Sequence, residues 1–388
     1  MNIAVLGPDG VTGKAVVDCV KRLDGWQLVA DVVNADWVVA SPGISPDQYP
    51  PSAKLVMSEI EFAWRLFHRE GSRYCPRIIG VTGTNGKSTV TALCAHVLAC
   101  DVAGNIGVPL VTYVDQPGMS DVLVVELSSY QLESCSTFAP DVAMITNITP
   151  DHLSRHKTMN QYAQAKSRIF TAMDEEAPVY YVPDGAQLDA LIAEFHGVKH
   201  PVCLPDHVIQ TPMIGIHNQY NCAMVMGVAE WFGLDHATVQ SRIESFSALP
   251  HRMESVCTKH GRHFINDSKG TNPDATLQAV LSCETPPHLI LCGQDKRLDL
   301  APFFAQLVSR VASITVYGGI ASVVSDYFTS ESIPFYNAAG LDDALSNIMH
   351  QSFEGDVVLF SPSSASFDLY TGFEHRGDAF REAVYALK

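Results

Sequence analysis

The chain has 388 residues, 47% hydrophobic and 17% charged, with a formal net charge of −17. That length exceeds one ordinary core and implies two or three domains, and the composition is that of a folded protein rather than a disordered one. The acidic balance excludes non-specific nucleic-acid binding, which needs a basic surface, but allows a local basic site for small anions.

The ten cysteines contain no CxxC pair and read as reduced thiols. No basic leader precedes the first apolar residues, and no apolar run approaches membrane-spanning length. The expectation is a cytoplasmic protein without membrane insertion.

Residues 1–75 come first. Ile3–Leu6 reads as a buried strand, Gly7-Pro8-Asp9-Gly10-Val11-Thr12-Gly13 as a glycine turn, and Lys14–Leu23 as a helix. This is the opening of a Rossmann-like unit whose turn suits a pyrophosphate. The glycine spacing is GxxGxxG rather than GxGxxG, and no acid closes a second strand at the expected distance. A tight turn without a ligand therefore stays open as the alternative. Trp37–Ala40 is another strand and ends in Ser41-Pro42-Gly43-Ile44, an irregular loop at the edge where open α/β sheets bind ligands. Pro46–Lys54 and Glu59–Arg77 read as text that carries the chain towards the next domain.

Residues 76–250 hold the most specific motif. The apolar run Ile78–Val81 leads into Thr82-Gly83-Thr84-Asn85-Gly86-Lys87-Ser88-Thr89, and helix-compatible text, Val90–Ala99, follows. Strand, glycine loop, Lys-Ser and helix together suit a triphosphate. Glycines admit the phosphates to backbone N–H groups, and the helix start adds partial positive charge. Lys87 would reach the outer phosphates and Ser88 would ligate Mg²⁺. Val81 stands where the strict pattern has its first glycine. Ala103-Gly104-Asn105-Ile106-Gly107-Val108-Pro109, taken alone, is a turn that presents Asn105. Asp121–Glu126 is a strand closing on a carboxylate, the place from which such proteins deliver an acid to Mg²⁺. Val142–Ile145 is another strand, leading to Asp151-His152, an acid and an imidazole able to serve a metal. Tyr162–Phe170 is helical, and Lys166 and Arg168, taken alone, read as a solvated face. Gly215-Ile216-His217-Asn218 opens a helix that runs towards Gly233.

In residues 251–388, Leu249-Pro250-His251-Arg252 marks a domain junction, and α/β alternation resumes. Strands are expected at His263–Ile265, Leu289–Cys292, Ile314–Tyr317 and Val357–Phe360. Polar clusters follow three of them: Asn266–Asn272, Gly293–Lys296 and Ser361–Ser366. All three would emerge at one edge of a second Rossmann-like sheet, as a binding face.

In this order the motifs resemble the Mur ligase superfamily, ATP-dependent amide-forming enzymes of peptidoglycan precursor synthesis. The resemblance rests on GTNGKS, on Glu126-Leu-Ser-Ser-Tyr-Gln-Leu-Glu133, on Asn266-Asp-Ser-Lys-Gly-Thr-Asn272, and on Ser361-Pro-Ser-Ser-Ala-Ser366 with Gly372-Phe-Glu-His-Arg-Gly377. It covers residues 76–388 strongly and the first 75 loosely. The implied fold is α/β in three domains. Residues 1–75 form a shortened Rossmann-like domain for a uridine-diphosphate substrate. Residues 76–250 form a P-loop ATPase domain with a parallel sheet, and residues 251–388 a Rossmann-like domain for glutamate. The implied activity adds D-glutamate to UDP-N-acetylmuramoyl-L-alanine through an acyl phosphate, in a protein acting as a monomer.

The family's roles carry over by position. Gly83, Thr84, Asn85, Gly86, Lys87, Ser88 and Thr89 would cradle ATP, with Asn218, Arg252, Asp267 and Lys269 completing its site. Ser88 and Glu126 would hold one Mg²⁺. His152 and Lys166, the latter carbamylated by CO₂, would hold a second. The catalytic set would be Lys87, His152, Lys166, Arg252 and Lys269. Val11, Thr12 and Ser41 would meet the uridine diphosphate, and Asn105 and His152 the muramoyl-peptide end. Thr271, Lys296, Ser366 and Phe373 would receive glutamate. The text between Val29 and Trp37 is short for the family's usual strand–helix content. Ser363-Ser364 replace a common Ala-Cys, Gly270 a common Ala, and Arg297 a small residue. A folylpolyglutamate synthetase-like ligase, a ligase for L-glutamate and a non-catalytic nucleotide-binding partner remain the alternatives.

Overall fold

The computed structural model describes residues 1–387 except 117, 184, 297 and 298. Three sheets organise it. The first contains β1 (Asn2–Leu6), β2 (Gln27–Leu28), β3 (Trp37–Ala40) and β4 (Val56–Ser58), in the order β2-β1-β3-β4 and all parallel. The second contains β5 (Arg77–Thr82), β6 (Asp101–Gly104), β7 (Val122–Glu126), β8 (Val142–Ile145), β9 (Val179–Tyr181) and β10 (Lys199–Pro201). Its order is β10-β9-β8-β5-β7-β6, again all parallel. The third contains β11 (Glu254–Lys259), β12 (Arg262–Asn266), β13 (His288–Cys292), β14 (Ser313–Tyr317), β15 (Tyr336–Asn337) and β16 (Val357–Ser363). Its order is β11-β12-β16-β13-β14-β15, antiparallel only at the β11–β12 hairpin. The chain gathers these sheets into two compact units: residues 1–210 with 219–246, and residues 211–218 with 247–388. The first unit carries the first two sheets.

Parallel strands covered on both faces must be apolar along their whole length. Accordingly Ile78, Ile79 and Val81 of β5, Leu123, Val124 and Val125 of β7, and all of β8 are buried. Each large apolar side chain so buried contributes about 1.5–3 kcal/mol. The register brings the C-terminal ends of β7, β5 and β8 level. Val81 pairs with Glu126 on one side, and Thr82 pairs with Ile145 on the other.

Several elements differ from the sequence reading. Helix α1 (Val11–Arg22) begins before Lys14, so Val11 and Thr12 form its first turn rather than the glycine turn. Glu59–Arg77 is not simply connecting text, because it opens with helix α2 (Glu59–Phe67). That helix buries Ile60, Phe62, Ala63, Leu66 and Phe67, and its Glu59 and Glu61 as well. Helix α3 (Lys87–Leu98) takes in Lys87, Ser88 and Thr89 as its first turn. After α4 (Ser129–Leu132) and α5 (Leu153–His156), helix α6 (Met159–Ser167) ends before Phe170. Strand β16 runs through Ser361-Pro362-Ser363, which the sequence reading placed in a loop. A register shift against β13 accommodates this segment, with its proline unable to donate to the ladder. Between Leu28 and Trp37 lies a single 3₁₀ turn, Val32–Asn34.

Helix α2 is tied down by a buried carboxylate. Glu61 accepts from the backbone N–H groups of Ser136, Thr137 and Phe138, each at 3.0 Å. It also accepts from Thr137 Oγ1 at 2.6 Å and Arg65 Nε at 2.8 Å. Burial alone would raise its pKa, but the Thr137, Ser136 and Arg65 hydrogen bonds outweigh burial and hold it below the ordinary 4.5. A depressed carboxylate contributes stability that is full above its unfolded pKa and disappears as pH falls through the folded one. Glu61→Gln is therefore expected to lose about 2–4 kcal/mol at pH 7. The check is a lower urea midpoint at unchanged m, with the gap to wild type closing as pH is taken below 4.5.

Candidate active site

At the end of β5 the loop Gly83-Thr84-Asn85-Gly86 turns into α3. Both glycines are required by geometry. At Gly83, with φ of 145°, a Cβ would sit 1.9 Å from Thr146 Oγ1. Gly86, with φ of 83°, caps α3 in the left-handed region. The end of β8 braces this loop from the side. Thr146 Oγ1 donates to the Asn85 carbonyl at 2.5 Å, and Asn147 Nδ2 donates to the same carbonyl at 3.1 Å. Asn147 Oδ1 accepts from Asn85 N at 2.9 Å. The helix start is thus held by side chains from a neighbouring strand. Its leading N–H groups are the anion-binding element of such a loop. Lys87 Nζ folds over the loop and donates to the Gly83 and Thr84 carbonyls at 3.0 and 2.8 Å. Ser88 and Thr89 are buried in the first turn.

Lys166 converges on the same place. It is 1% exposed, not part of a solvated face, and its Nζ donates to the Gly83 carbonyl at 2.6 Å. Its ammonium also lies 4.8 Å from the centre of the Tyr162 ring. Burial, then repulsion from Lys87, hold its pKa well below the usual lysine value, against weaker pulls from Asp151 and Glu126. Arg168, by contrast, is exposed, with one guanidinium N–H on the Cys135 carbonyl at 2.7 Å.

Glu126 closes β7 beside the loop and is 1% exposed. Asn105 Nδ2 donates to its Oε1 at 2.7 Å, whereas its Oε2 is buried with no hydrogen-bond partner. A buried carboxylate oxygen left without a donor is costly and fits a cation. Among the described residues no group of three or more His, Cys, Asp and Glu gathers into a metal cage. One carboxylate with one hydroxyl, Glu126 and Ser88, nevertheless fits Mg²⁺, which usually keeps several waters and phosphate oxygens among its ligands.

His152 stands at the start of α5 with φ of 55°. Its Nδ1 lies 3.0 Å from the Tyr130 hydroxyl, and its Nε2 3.7 Å from Asp151 Oδ2. Its ring neighbours that of Tyr162, whose hydroxyl is 3.1 Å from Thr84 Oγ1. The expected Gly83–Thr89, Asn105, Glu126, His152 and Lys166 therefore form one connected group. Sequence reasoning missed Tyr130, Thr146 and Tyr162 as its supports. Tyr130 stood inside the quoted Glu126–Glu133 motif, and Thr146 directly follows β8, the strand beside the loop.

The first sheet offers a smaller arrangement. Ser41 Oγ donates to the Gly7 carbonyl at 2.9 Å, joining the two loops expected to meet a diphosphate. Val11 is exposed and Thr12 half-buried in the first turn of α1. In the same unit lies a cleft of about 800 Å³, lined by Ser45, Gln48, Arg155, Lys157 and Arg168 among others. Arg155 spans part of it, donating to the Ile44 carbonyl at 3.0 Å and pairing with Glu133 at 2.7 Å. Sequence reasoning missed Arg155 as well, although it lies in the same short helix that follows His152.

In the second unit the ends of β12, β13 and β16 share one edge. Asn266 pairs with Phe360, and Cys292 with Ser363. Asp267 accepts from Ser361 Oγ at 2.7 Å and from Met253 N at 3.3 Å. Burial pushes its carboxyl up to about 7, against the Ser361 and Met253 hydrogen bonds and the charges of Arg252 and Arg376. Lys269 Nζ sits 3.8 Å from the centre of the Phe373 ring. Fully buried Arg376 pins the loops after β12 and β16 together, donating to the Ser268 and Ser364 carbonyls at 2.8 and 2.9 Å. Thr271 donates its N–H to the Lys269 carbonyl at 2.7 Å, and Ser366 is buried. Lys296 lines a small cleft with Asp295, Leu300, Ile320, Ser363 and Ser364. Asn218 Nδ2 donates to the Ile214 carbonyl at 2.7 Å. Arg297, singled out in the sequence, lies outside the described residues.

Comparison with known proteins gives a consistent result. Residues 81–203 match the Mur ligase middle domain. A UDP-N-acetylmuramoylalanine–D-glutamate ligase of Nitratidesulfovibrio vulgaris is 35% identical over 371 residues, covering 92% of this chain and 83% of the relative. The enzyme of the same name from Pelotomaculum thermopropionicum is 33% identical over 397 residues, covering 92% and 84%. Among solved structures, the MurF ligase of Thermotoga maritima in complex with ADP superposes with a TM-score of 0.64 at 17% identity, covering 90% of this chain and 89% of that one. This last likeness shows the multi-domain fold.

The two Glu126 oxygens separate stability from function. Glu126→Gln keeps an oxygen for Asn105 and removes a buried charge with one oxygen unpartnered. The expected outcome is a melting temperature equal to or above wild type together with loss of Mg²⁺-dependent nucleotide binding. Thermal melts with and without Mg-ATP check both halves.

Proposed function

The chain belongs to the Mur ligases, and within them to the UDP-N-acetylmuramoylalanine–D-glutamate ligases; from that premise we propose that it uses ATP to join D-glutamate to UDP-N-acetylmuramoyl-L-alanine in peptidoglycan precursor synthesis. The observation that carries the reading is the convergence of Lys87 and Lys166 on the Gly83 carbonyl, beside the unpartnered oxygen of Glu126.

The chemical problem is repulsion between two anions, an alanyl carboxylate and a γ-phosphate. Lys87 would meet the outer phosphates at the start of α3, and fixed cations there stabilise charge that develops during transfer. Ser88 and Glu126 would hold Mg²⁺, which when bound neutralises triphosphate charge. The alanyl carboxylate oxygen attacks the γ-phosphorus and the bond to ADP breaks, leaving an acyl phosphate. The glutamate amine then attacks the acyl carbon. The carbon–oxygen bond to phosphate breaks, and the amine proton is lost as the amide forms.

Lys166 has its own chemistry. Burial and the neighbouring Lys87 lower its pKa, which favours the uncharged amine, and an uncharged amine adds CO₂ to give a carbamate and a proton. The carbamate would place an anion next to Lys87 that, with His152, would hold a second Mg²⁺. Asn218, Arg252, Asp267 and Lys269 are assigned to the nucleotide. Thr271, Lys296, Ser366 and Phe373 are assigned to glutamate, and Val11, Thr12, Ser41 and Asn105 to the uridine-nucleotide substrate. None of the ten cysteines is joined in a disulfide, which fits a reducing compartment such as the cytoplasm, and we take the protein to act as a monomer.

ADP release is expected only when both the muramoyl-alanine nucleotide and D-glutamate are present. Release that persists when either is omitted overturns the reading, and release with L-glutamate in place of the D form redirects it. Lys166→Ala should lower turnover by roughly a hundredfold or more, with partial recovery on adding short carboxylic acids; an undiminished rate removes Lys166 from the mechanism.

A further inference from the structure

Strand β16 ends on a residue that carries two local penalties. Ser363 is left-handed, with φ of 65°, a region that non-glycine residues seldom occupy. It is 3% exposed, and its hydroxyl is buried with no hydrogen-bond partner. The adjacent Ser364 behaves ordinarily, its hydroxyl donating to the Gln294 carbonyl. The Ser363 backbone is held firmly. Its N–H donates to the Gly270 carbonyl at 2.8 Å, and it pairs with Cys292 across the sheet. The Cα position of the residue is therefore fixed by its surroundings. Ser363 also lines the small cleft that contains Lys296, with Leu300 and Ile320 as apolar wall.

Strain and an unsatisfied donor that persist at a sheet's ligand-binding edge point to a group absent from the protein itself. A carboxylate is a pure acceptor with several lone pairs, and a neutral hydroxyl beside a lysine completes its hydrogen bonding without adding charge. The apolar wall lowers the local dielectric, so the bond counts for more than it would in water. We propose that the Ser363 hydroxyl donates a hydrogen bond to a carboxylate of the incoming amino acid, beside Lys296, and thereby sets the affinity for that substrate. This rests on the reading that the second unit receives glutamate. No role was carried to Ser363 by the sequence motifs, in which Ser363-Ser364 replace a common Ala-Cys.

The test is steady-state kinetics of the full chain carrying Ser363→Ala or Ser363→Gly, with D-glutamate, ATP and the muramoyl-alanine nucleotide varied in turn. Losing one hydrogen bond to a charged group should raise the KM for D-glutamate about ten- to hundredfold. The kcat and the other two KM values should stay within about twofold, the signature of lost ground-state binding. Melting temperatures should not fall, because the variants discard an unsatisfied donor. Glycine accepts φ of 65° without strain, so it reads the hydroxyl's effect even if alanine folds poorly. A D-glutamate KM unchanged in both variants, with or without a lower melting temperature, overturns the inference while leaving the ligase reading intact. Wild-type ADP release that ignores glutamate overturns the ligase reading itself, and this inference with it.

Discussion

Parallel register is the constraint on which the rest of this molecule depends. In the second sheet, pairing of Val81 with Glu126 and of Thr82 with Ile145 brings three strand ends level. The residues that leave those ends then have no choice but to meet. Gly83 follows β5, Glu126 closes β7, and Thr146 follows β8. The approach is so close that any side chain at Gly83 would overlap Thr146. The third sheet repeats the device with β12, β13 and β16, whose polar ends are gathered by buried Arg376. A one-residue slip in either sheet would turn these ends away from each other, because successive side chains face opposite ways.

Electrostatics then decide what the gathered ends can do. Two lysines share one carbonyl oxygen, that of Gly83, and Lys87 disfavours the charge on Lys166. Nearby, one oxygen of a buried carboxylate has no donor. That carboxylate oxygen is not satisfied by hydrogen bonds from the described residues. A divalent cation would supply what the Glu126 oxygen lacks, and a triphosphate would lie where Lys87 meets the start of α3. In this view the residues of the site are positioned before the ligand arrives.

How much of this was legible in the sequence follows from the range of each interaction. Strand ends that carry polar clusters were legible, because apolar runs followed by glycine, acid or histidine are local patterns. The Asp121–Glu126 run and the Val142–Ile145 run both became central strands. Lys166 was not legible from its own surroundings: in α6 it sits among polar neighbours, and only the resemblance to a family singled it out. Glu59 and Glu61 misled in the same way. A carboxylate reads as solvated unless one knows that the N–H groups of Ser136, Thr137 and Phe138 close around it, more than seventy residues further on. Two-residue strands such as β2 and β15 have too little text to show an alternation. Pro362 argued against a strand by a sound local rule, and a register shift in the neighbouring pairing accommodated it.

A distinction between volume and hydrogen bonding matters at the ends of β13 and β16 in the third sheet. Read as text, Ser363-Ser364 in place of Ala-Cys preserves size and looks neutral. In the fold the two hydroxyls have opposite fates, one satisfied by the Gln294 carbonyl and one buried without an acceptor. Size therefore fails as a measure of equivalence here, since a buried hydroxyl demands a partner that a methyl group does not. Ser363 is the last residue of β16 and pairs with Cys292, whereas Ser364 lies beyond the strand. The hydrogen bonding at this edge is thus set by the backbone path as much as by residue size, since two adjacent serines meet different surroundings.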